Sequence, residues 1–383
     1  MKKIFIIAGE ESGDNIGAKL IRNLKAKNAE LEFIGVGGMK MAYEGLQAIF
    51  PMQEINLMGF LEIVPHMPKL IKRINETVDR IIEENPDVLV TIDSPGFNYR
   101  VVKKLKQCNF DLKKIHYVAP SVWAYKPERA KKTAKLFDHL ICILPWEAPY
   151  FEREGLKTTF VGHPVFEDIT YLNESEKEEL RKAHNYDRTD KVIAILPGSR
   201  RGELKRLLPV FIQAAEKIYA QNANTKFILM PTESLRSEVS KFAHRIPNGI
   251  VVSDTENKRR LLQICDAAIV KSGTVALEVA ALKCPYVTCY KINPLTHWMI
   301  RKMLNIDYAN LVNIAAGKEV IRELLQEDCN AENIAKEILK LVNSPAVAQG
   351  QLEDAAYELN EMGWDAEVRS SALAADVILK YLN

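Results

Sequence analysis

At 383 residues the chain exceeds the roughly 250 to 300 residues at which a single hydrophobic core stops growing, so two domains are expected. Apolar residues make up 47% and charged residues 27%, a mixture that excludes wholesale disorder and fibrous repeats. The formal net charge is only +2, yet residues 100–135 hold eleven Lys or Arg against two Asp or Glu, a concentration that suits a nucleic acid, an anionic membrane surface, a phosphorylated substrate or simply a solvated helical face.

No apolar run reaches the roughly 18 to 20 residues a membrane-spanning helix needs, and the run from Ile4 to Ala8 is too short for a signal peptide, so a soluble cytoplasmic protein is expected. The six cysteines form no CxxC pair and have no histidine at ligand spacing, which argues for reduced thiols over a zinc site or a disulfide framework.

In chain order, residues 3–8, 31–36, 88–92, 115–118 and 140–144 read as strands, with helices over 16–27 and 69–84. The first strand ends in Gly9-Glu10-Glu11-Ser12-Gly13-Asp14, a glycine-flanked polar turn opening a helix; no Gly-Lys-Ser/Thr follows, so it is not a P-loop. Gly35-Val36-Gly37-Gly38 is a second permissive turn. The segment 57–73, which includes Met58 and Phe60, joins apolar residues to Lys69, Lys72 and Arg73, as an interfacial membrane segment does and as a buried core helix also does. Asp93 falls at the carboxyl end of a strand, where it serves either as a general base or as a cap for the next helix. Residues 116–125 mix rings with small residues around Trp123, a composition that fits an amphiphilic acceptor and equally fits ordinary aromatic packing.

Gly162-His163-Pro164-Val165 closes a first domain over 1–165, with a linker near 163–172 and an acidic helix over 173–183. Strands at 192–196, 227–230, 250–252, 267–270 and 286–289 then predict a second parallel sheet in a domain over 173–360. Beyond 318 the pattern is helical only, over 319–325, 331–342, 352–362 and 365–382, with 361–383 expected to cross back onto the first domain. The fold class is α/β: two doubly wound Rossmann-like domains facing a central cleft, with a helical C-terminal segment.

Ligand chemistry concentrates in the second half. In Leu196-Pro197-Gly198-Ser199-Arg200-Arg201 a turn exposes amides and a guanidinium to phosphate oxygens, with Arg200 the leading contact. Ser272-Gly273-Thr274 opens a helix whose N-terminal N–H groups suit a diphosphate, although Ser272 or Thr274 also reads as a simple cap. Glu278 lies one turn further along, where a carboxylate accepts ribose hydroxyls or sits exposed on the surface. No Asp-X-Asp pair or histidine cluster accompanies these loops, so no metal and no cofactor are expected.

Taken together, Ala8-Gly9-Glu10-Glu11-Ser12-Gly13-Asp14, Gly35-Val36-Gly37-Gly38, His116-Tyr117-Val118-Ala119-Pro120-Ser121-Val122-Trp123-Ala124, Val161-Gly162-His163-Pro164, Leu196-Pro197-Gly198-Ser199-Arg200, Lys271-Ser272-Gly273-Thr274-Val275-Ala276-Leu277-Glu278, Tyr290-Lys291-Ile292-Asn293-Pro294 and Leu311-Val312-Asn313-Ile314 resemble the bacterial lipid-A-disaccharide synthase family over nearly the whole chain. The resemblance implies a GT-B glycosyltransferase joining UDP-2,3-diacylglucosamine to 2,3-diacylglucosamine 1-phosphate (lipid X), giving a β-1′,6-linked disaccharide phosphate and UDP. It also implies that Arg200 and Asn313 belong to the active site and that Ser272, Gly273, Thr274 and Glu278 contact UDP. Many members carry a second acidic residue where this sequence has Gly96. Asp93 is therefore the first candidate for the base and Glu11 the second, with Glu10 and His163 also in reach of that role.

Acylated substrates imply peripheral attachment to the cytoplasmic face of the inner membrane, through the segment around Phe60 and the basic stretch. A homodimer is a further expected partner, and nucleic acid is not. The alternatives are another UDP-sugar enzyme of this architecture, such as an epimerase or a peptidoglycan-precursor glycosyltransferase, or a non-catalytic UDP-ligand sensor.

Overall fold

The computed structural model describes residues 2–55, 60–293 and 303–382, and the backbone alone for 60–66. The chain divides into two compact units, Met1–Pro164 with Ala366–Asn383, and Val165–Asp365.

In the first unit, β1 (Lys2–Ala8), β2 (Leu31–Val36), β3 (Gln47–Ala48), β4 (Val88–Ile92), β5 (Lys113–Tyr117), β6 (His139–Cys142) and β7 (Lys157–Phe160) form one sheet in the order β3-β2-β1-β4-β5-β6-β7. Every pairing among the described residues is parallel. The helices α1 (Glu11–Lys27), α2 (Met39–Tyr43), α3 (Phe60–Glu84), α4 (Pro95–Gln107), α5 (Arg129–Ala134) and α6 (Ala148–Glu152) connect the strands. Ile4, Phe5, Ile6 and Ile7 are all fully buried, as expected for a central parallel strand covered on both faces. Ile74, Val78 and Ile81 of α3 and Phe97, Val101 and Leu105 of α4, spaced at helical period, pack with Phe5, Ile7 and Leu89 in one core. Each such side chain contributes about 1.5 to 3 kcal/mol of burial. Gly35 lies within β2 at φ +146, and a Cβ there would stand 2.0 Å from the Ile6 carbonyl oxygen, so no other residue fits.

The terminal helix Ser370–Leu379 belongs to this unit. Ser370 Oγ donates to the Gly162 carbonyl at 2.7 Å, Asn23 Nδ2 of α1 donates to Ser371 Oγ at 2.9 Å, and Tyr381 pairs with His139 Nδ1 at 2.9 Å.

In the second unit, β8 (Lys191–Leu196), β9 (Thr225–Leu229), β10 (Gly249–Val251), β11 (Ala267–Lys271), β12 (Tyr286–Tyr290) and β13 (Glu323–Leu325) form a parallel sheet in the order β10-β9-β8-β11-β12-β13. Its helices include α7 (Glu174–Ala183), α8 (Arg201–Gln221), α9 (Arg236–Ser240), α10 (Thr255–Leu262) and α11 (Thr274–Ala281), followed by Leu311–Ala316, Ala331–Asn343 and Pro345–Glu361. A capping box starts α7: Asn173 accepts the Glu176 N–H at 2.9 Å and Glu176 accepts the Asn173 N–H at 2.7 Å. Leu207, Phe211 and Ile218 of α8 pack with Ile334 and Ile338 over the sheet.

The helix expected over 319–325 is absent: 319–322 are irregular and Glu323–Leu325 forms β13, paired with Thr288, Cys289 and Tyr290. A three-residue strand is too short to show its period, and the open edge of β12 decides its conformation. The short strands β3 and β7 escaped the sequence pattern for the same reason. Strand β5 ends at Tyr117, since Val118 takes φ +77, a conformation that no β-branched residue adopts within a strand.

Candidate active site

In each sheet the chain runs outward in one direction from a central strand and then returns to build the other side, which creates a topological switch point between β1 and β4 and another between β8 and β11. Loops leaving the carboxyl ends of such a strand pair stand side by side with no crossover helix between them, and four of the sequence motifs lie there.

In the first unit Ala8 is in register with Ile92, so Gly9 and Asp93 leave the sheet together, and a Cβ on Gly9 would lie 2.6 Å from Ser94 Oγ. Asp93 and Ser94 both take left-handed backbone conformations, φ +49 and +43. This strained turn is clamped: the Asp93 N–H donates to the Tyr117 carbonyl at 2.9 Å, and Asn98 Nδ2 donates to the carbonyls of Asp93 at 2.7 Å and Ile92 at 3.2 Å. Ser94 is the N-cap of α4 and makes no side-chain cap bond, so Asp93 stands one residue outside the helix. Ser94 Oγ and Asn98 Oδ1 are buried with no hydrogen-bond partner among the described residues.

Glu11 is exposed in the first turn of α1, and Glu10 at its N-cap makes no cap bond. Asp14 is spent on structure: its carboxylate accepts the N–H groups of Gly38 at 2.8 Å, Met41 at 3.0 Å and Lys40 at 3.1 Å, tying the first two glycine motifs together. His163 is buried, which lowers its pKa to about 3 and keeps it neutral.

Trp123 is buried, edge-on to Trp146 at 5.7 Å. Beside it the buried Glu147 carboxylate accepts the N–H groups of Ile143 and Leu144, both at 3.0 Å, and burial raises its pKa to about 7. Met58 and the Phe60 side chain lie outside the described residues. At the basic end of that segment Leu70 is buried, Lys69 and Arg73 pair with Glu54 at 3.1 and 2.7 Å, and Lys72 is exposed. Arg100, Lys103, Lys131, Lys132 and Lys135 are exposed.

In the second unit Leu196 is in register with Val270. Gly198 turns the chain at φ +103, and a Cβ there would meet Glu203 Oε2 at 2.7 Å. Buried Glu203 accepts the Ser199 N–H at 3.3 Å and pairs with Lys271 Nζ at 2.9 Å, so the first turn of α8 is bolted to the end of β11. Arg200, at the extended N-cap of α8, is exposed and close enough to Tyr290 to favour its ionised form, against the stronger effect of burial.

Neither hydroxyl of Ser272-Gly273-Thr274 is a helix cap. Ser272 Oγ instead donates to the Ala309 carbonyl at 2.6 Å, Gly273 occupies the N-cap without a side-chain bond, and Thr274 is exposed. Among the described residues no side chain caps the N-terminus of α11, whose dipole favours an anion. Glu278 is not a free surface carboxylate, because Arg259 Nε donates to its Oε1 at 2.5 Å. Asn313 is fully buried: Nδ2 donates to the Ile321 carbonyl at 2.7 Å and to Glu323 at 2.8 Å, while Oδ1 accepts the N–H groups of Val320 and Ile321. Among the described residues no group of three or more His, Cys, Asp or Glu side chains is placed to hold a metal ion.

Sequence reasoning missed Arg259, Lys271, Glu203 and Glu323. Lys271 opens a motif already quoted, without a role assigned to it, and Glu203 lies just beyond another, so both carried a weak signal; Arg259 and Glu323 carried none.

Two doubly wound parallel sheets with anion-receptive turns at a switch point are the architecture of GT-B glycosyltransferases. Solved structures agree in fold: the UDP-GlcNAc 2-epimerase from Neisseria meningitidis bound to UDP-GlcNAc has a TM-score of 0.68 at 13% identity, covering 99% of this chain and 100% of that one. The glycotransferase of kitacinnamycin has a TM-score of 0.65 at 14% identity, covering 100% and 99%. Sequence is far more specific. The family model described as lipid-A-disaccharide synthetase matches residues 4–375. The lipid-A-disaccharide synthase of Rickettsia bellii (strain OSU 85-389) is 40% identical over 99% of this chain and 98% of its own length. That of Rhodospirillum centenum (strain ATCC 51521 / SW) is 38% identical over 99% and 94%. The chain belongs to the lipid-A-disaccharide synthase family, whose members are glycosyltransferases.

Proposed function

We propose that the chain transfers 2,3-diacylglucosamine from UDP-2,3-diacylglucosamine to the 6-hydroxyl of lipid X, releasing UDP and forming the β-1′,6-linked disaccharide 1-phosphate. The observation that carries this reading is the family match from residue 4 to residue 375, which spans both units.

The reaction is a direct displacement with inversion: the acceptor oxygen bonds to the anomeric carbon, the bond to the UDP oxygen breaks, and the acceptor proton passes to a carboxylate. The second unit takes the donor. Arg200 and the N–H groups of Gly273 and Thr274 neutralise the diphosphate as charge develops on it, with no divalent ion. The amides of Gly198 and Ser199 line the same turn, and Glu278, held by Arg259, accepts the ribose hydroxyls. Asn313 contributes through the turn it holds.

The first unit takes the acceptor. Asp93 is the base, on the support of its clamped, strained turn beside Gly9; Glu11, exposed on the neighbouring loop, is the second candidate. Trp123 acts from beneath the surface, shaping the wall around residues 116–125. Among the described residues no helix is long and apolar enough to cross a membrane. The acyl chains are reached by peripheral attachment to the cytoplasmic face of the inner membrane, through the segment containing Met58 and Phe60 and the exposed lysines and arginines after Arg100.

The test is to incubate the protein with both substrates in detergent and EDTA and follow UDP and disaccharide by mass spectrometry. Equal amounts of the two products are expected. Product formed only after metal is restored overturns metal independence, and UDP binding without any turnover identifies a sensor.

A further inference from the structure

We infer that Glu323 is a positioning residue for the donor site, holding the turn to which Ser272 is tethered. The inference rests on the proposed donor-binding role of Ser272-Gly273-Thr274.

Glu323 opens the edge strand β13, in register with Thr288, and its side chain turns inward to a place 8% exposed with no cationic partner among the described residues. A buried carboxylate without a counter-charge is costly, so the N–H groups it accepts must be ones that a neutral side chain would serve less well. All of them come from one turn. The Ala309 N–H reaches Oε2 at 2.8 Å and Oε1 at 3.1 Å, the Asn310 N–H reaches Oε1 at 2.9 Å, and Asn313 Nδ2 reaches Oε1 at 2.8 Å.

The turn is held from other sides as well. Asn310 Nδ2 donates to Tyr286 Oη at 3.0 Å and Thr288 Oγ1 at 2.6 Å, and Asn310 Oδ1 caps the Val312 N–H at 2.9 Å. What this framework presents to the switch point is the Ala309 carbonyl, and Ser272 donates to it at 2.6 Å. Ser272 directly precedes the uncapped N-terminus of α11, so the position of Ala309 sets where the first-turn N–H groups of that helix point. Glu323 thus acts on the phosphate-binding end of α11 through Ala309 and Ser272, without touching ligand.

In Glu323→Gln an amide NH2 replaces one oxygen. With the remaining oxygen on Asn310 and Asn313, that NH2 faces the Ala309 N–H, donor against donor, and Ala309 shifts away from Ser272. The experiment is calorimetric titration of UDP into the wild-type chain, E323Q, S272A and the double variant, with acceptor KM measured alongside. Each single change should weaken UDP about tenfold, the double should be no weaker than the poorer single, and the acceptor KM should not move. E323Q binding UDP like wild type, or a double variant whose loss is the product of the two singles, overturns the inference. A wild-type chain that fails to bind UDP overturns the donor-site reading beneath it.

A measurement on the unmodified protein covers the case in which E323Q does not fold. Saturating UDP should slow hydrogen exchange at the amides of Ala309 and Asn310, and unchanged exchange there overturns the inference equally.

Discussion

Arg259 Nε donates to Glu278 Oε1 at 2.5 Å, and the same guanidinium reaches the Asp168 carbonyl at 3.3 Å. Both side chains are largely shielded, 19% and 16% exposed, so the pair is stiffer than a surface ion pair and fixes one carboxylate oxygen while the other makes no hydrogen bond within the described chain. A carboxylate held in this way loses little freedom on meeting the ribose hydroxyls proposed for it. Replacing Glu278 by Gln should raise the UDP Kd about tenfold with little change in kcat at saturating donor, because the lost bond is made equally before and during transfer. Arg259→Ala should act in the same direction and less strongly. Calorimetry with UDP and steady-state rates check both.

The choice of base separates Asp93 from Glu11. Asp93→Asn should lower kcat by about 10² to 10⁴ with substrate KM and thermal midpoint nearly unchanged, while Glu11→Gln should stay close to wild type. The opposite ranking moves the base to α1, and full turnover in both variants removes both carboxylates from the chemistry.

Asp14 should matter for stability and not directly for rate. Removing its carboxylate leaves the N–H groups of Gly38, Lys40 and Met41 without their acceptor at the start of α2. Asp14→Ala should cost about 2 to 4 kcal/mol in urea unfolding, and Asp14→Asn less, since its remaining oxygen still accepts from two of the three. A loss below 0.5 kcal/mol would show that water replaces the carboxylate.

Two kinds of buried group should pull stability in opposite directions between pH 3 and 7. Burial lowers the pKa of His116 to about 3 and of His139 to about 4, below an ordinary value of 6.5. The unfolded chain therefore binds more protons below pH 6.5, so this part of the stability is complete above 6.5 and lost as the pH drops towards 3 to 4. Burial raises Glu147 from 4.5 to about 7, so there the native state holds the extra proton and stability declines as pH rises from 4.5 to 7. His116→Phe should flatten the acid limb of the urea midpoint against pH. Glu147→Gln should gain on wild type as pH rises from 4.5 to 7.5, and parallel profiles would exclude that titration.

How much of this was legible in the chain differs from element to element. The buried runs at Ile4–Ile7 and Val192–Ile195 announce central parallel strands by composition alone, and Gly9, Gly35 and Gly198 announce where the backbone passes too close to a neighbour for a side chain, although Gly35, read as part of a turn, lies within β2. Strand β13 carries no such mark, because its conformation comes from pairing with β12. Side-chain roles were harder still: Ser272 reads equally as a helix cap or a tether, and its partner Ala309 lies 37 positions away.

The sequence by itself determined the alternation of strands and helices, the glycine-bearing loops at the strand ends and the family, since each is written in local periodicity, in residues with special backbone freedom or in contiguous motifs. Only the tertiary structure decided that Asp14 is structural, that Asn313 is buried under the turn it supports, that Arg259 sets Glu278 and that Glu323 carries the Ala309 turn. Those roles depend on which distant groups meet in the folded sheet, and a hydrogen-bonding side chain does not specify its partner until packing has brought one within reach.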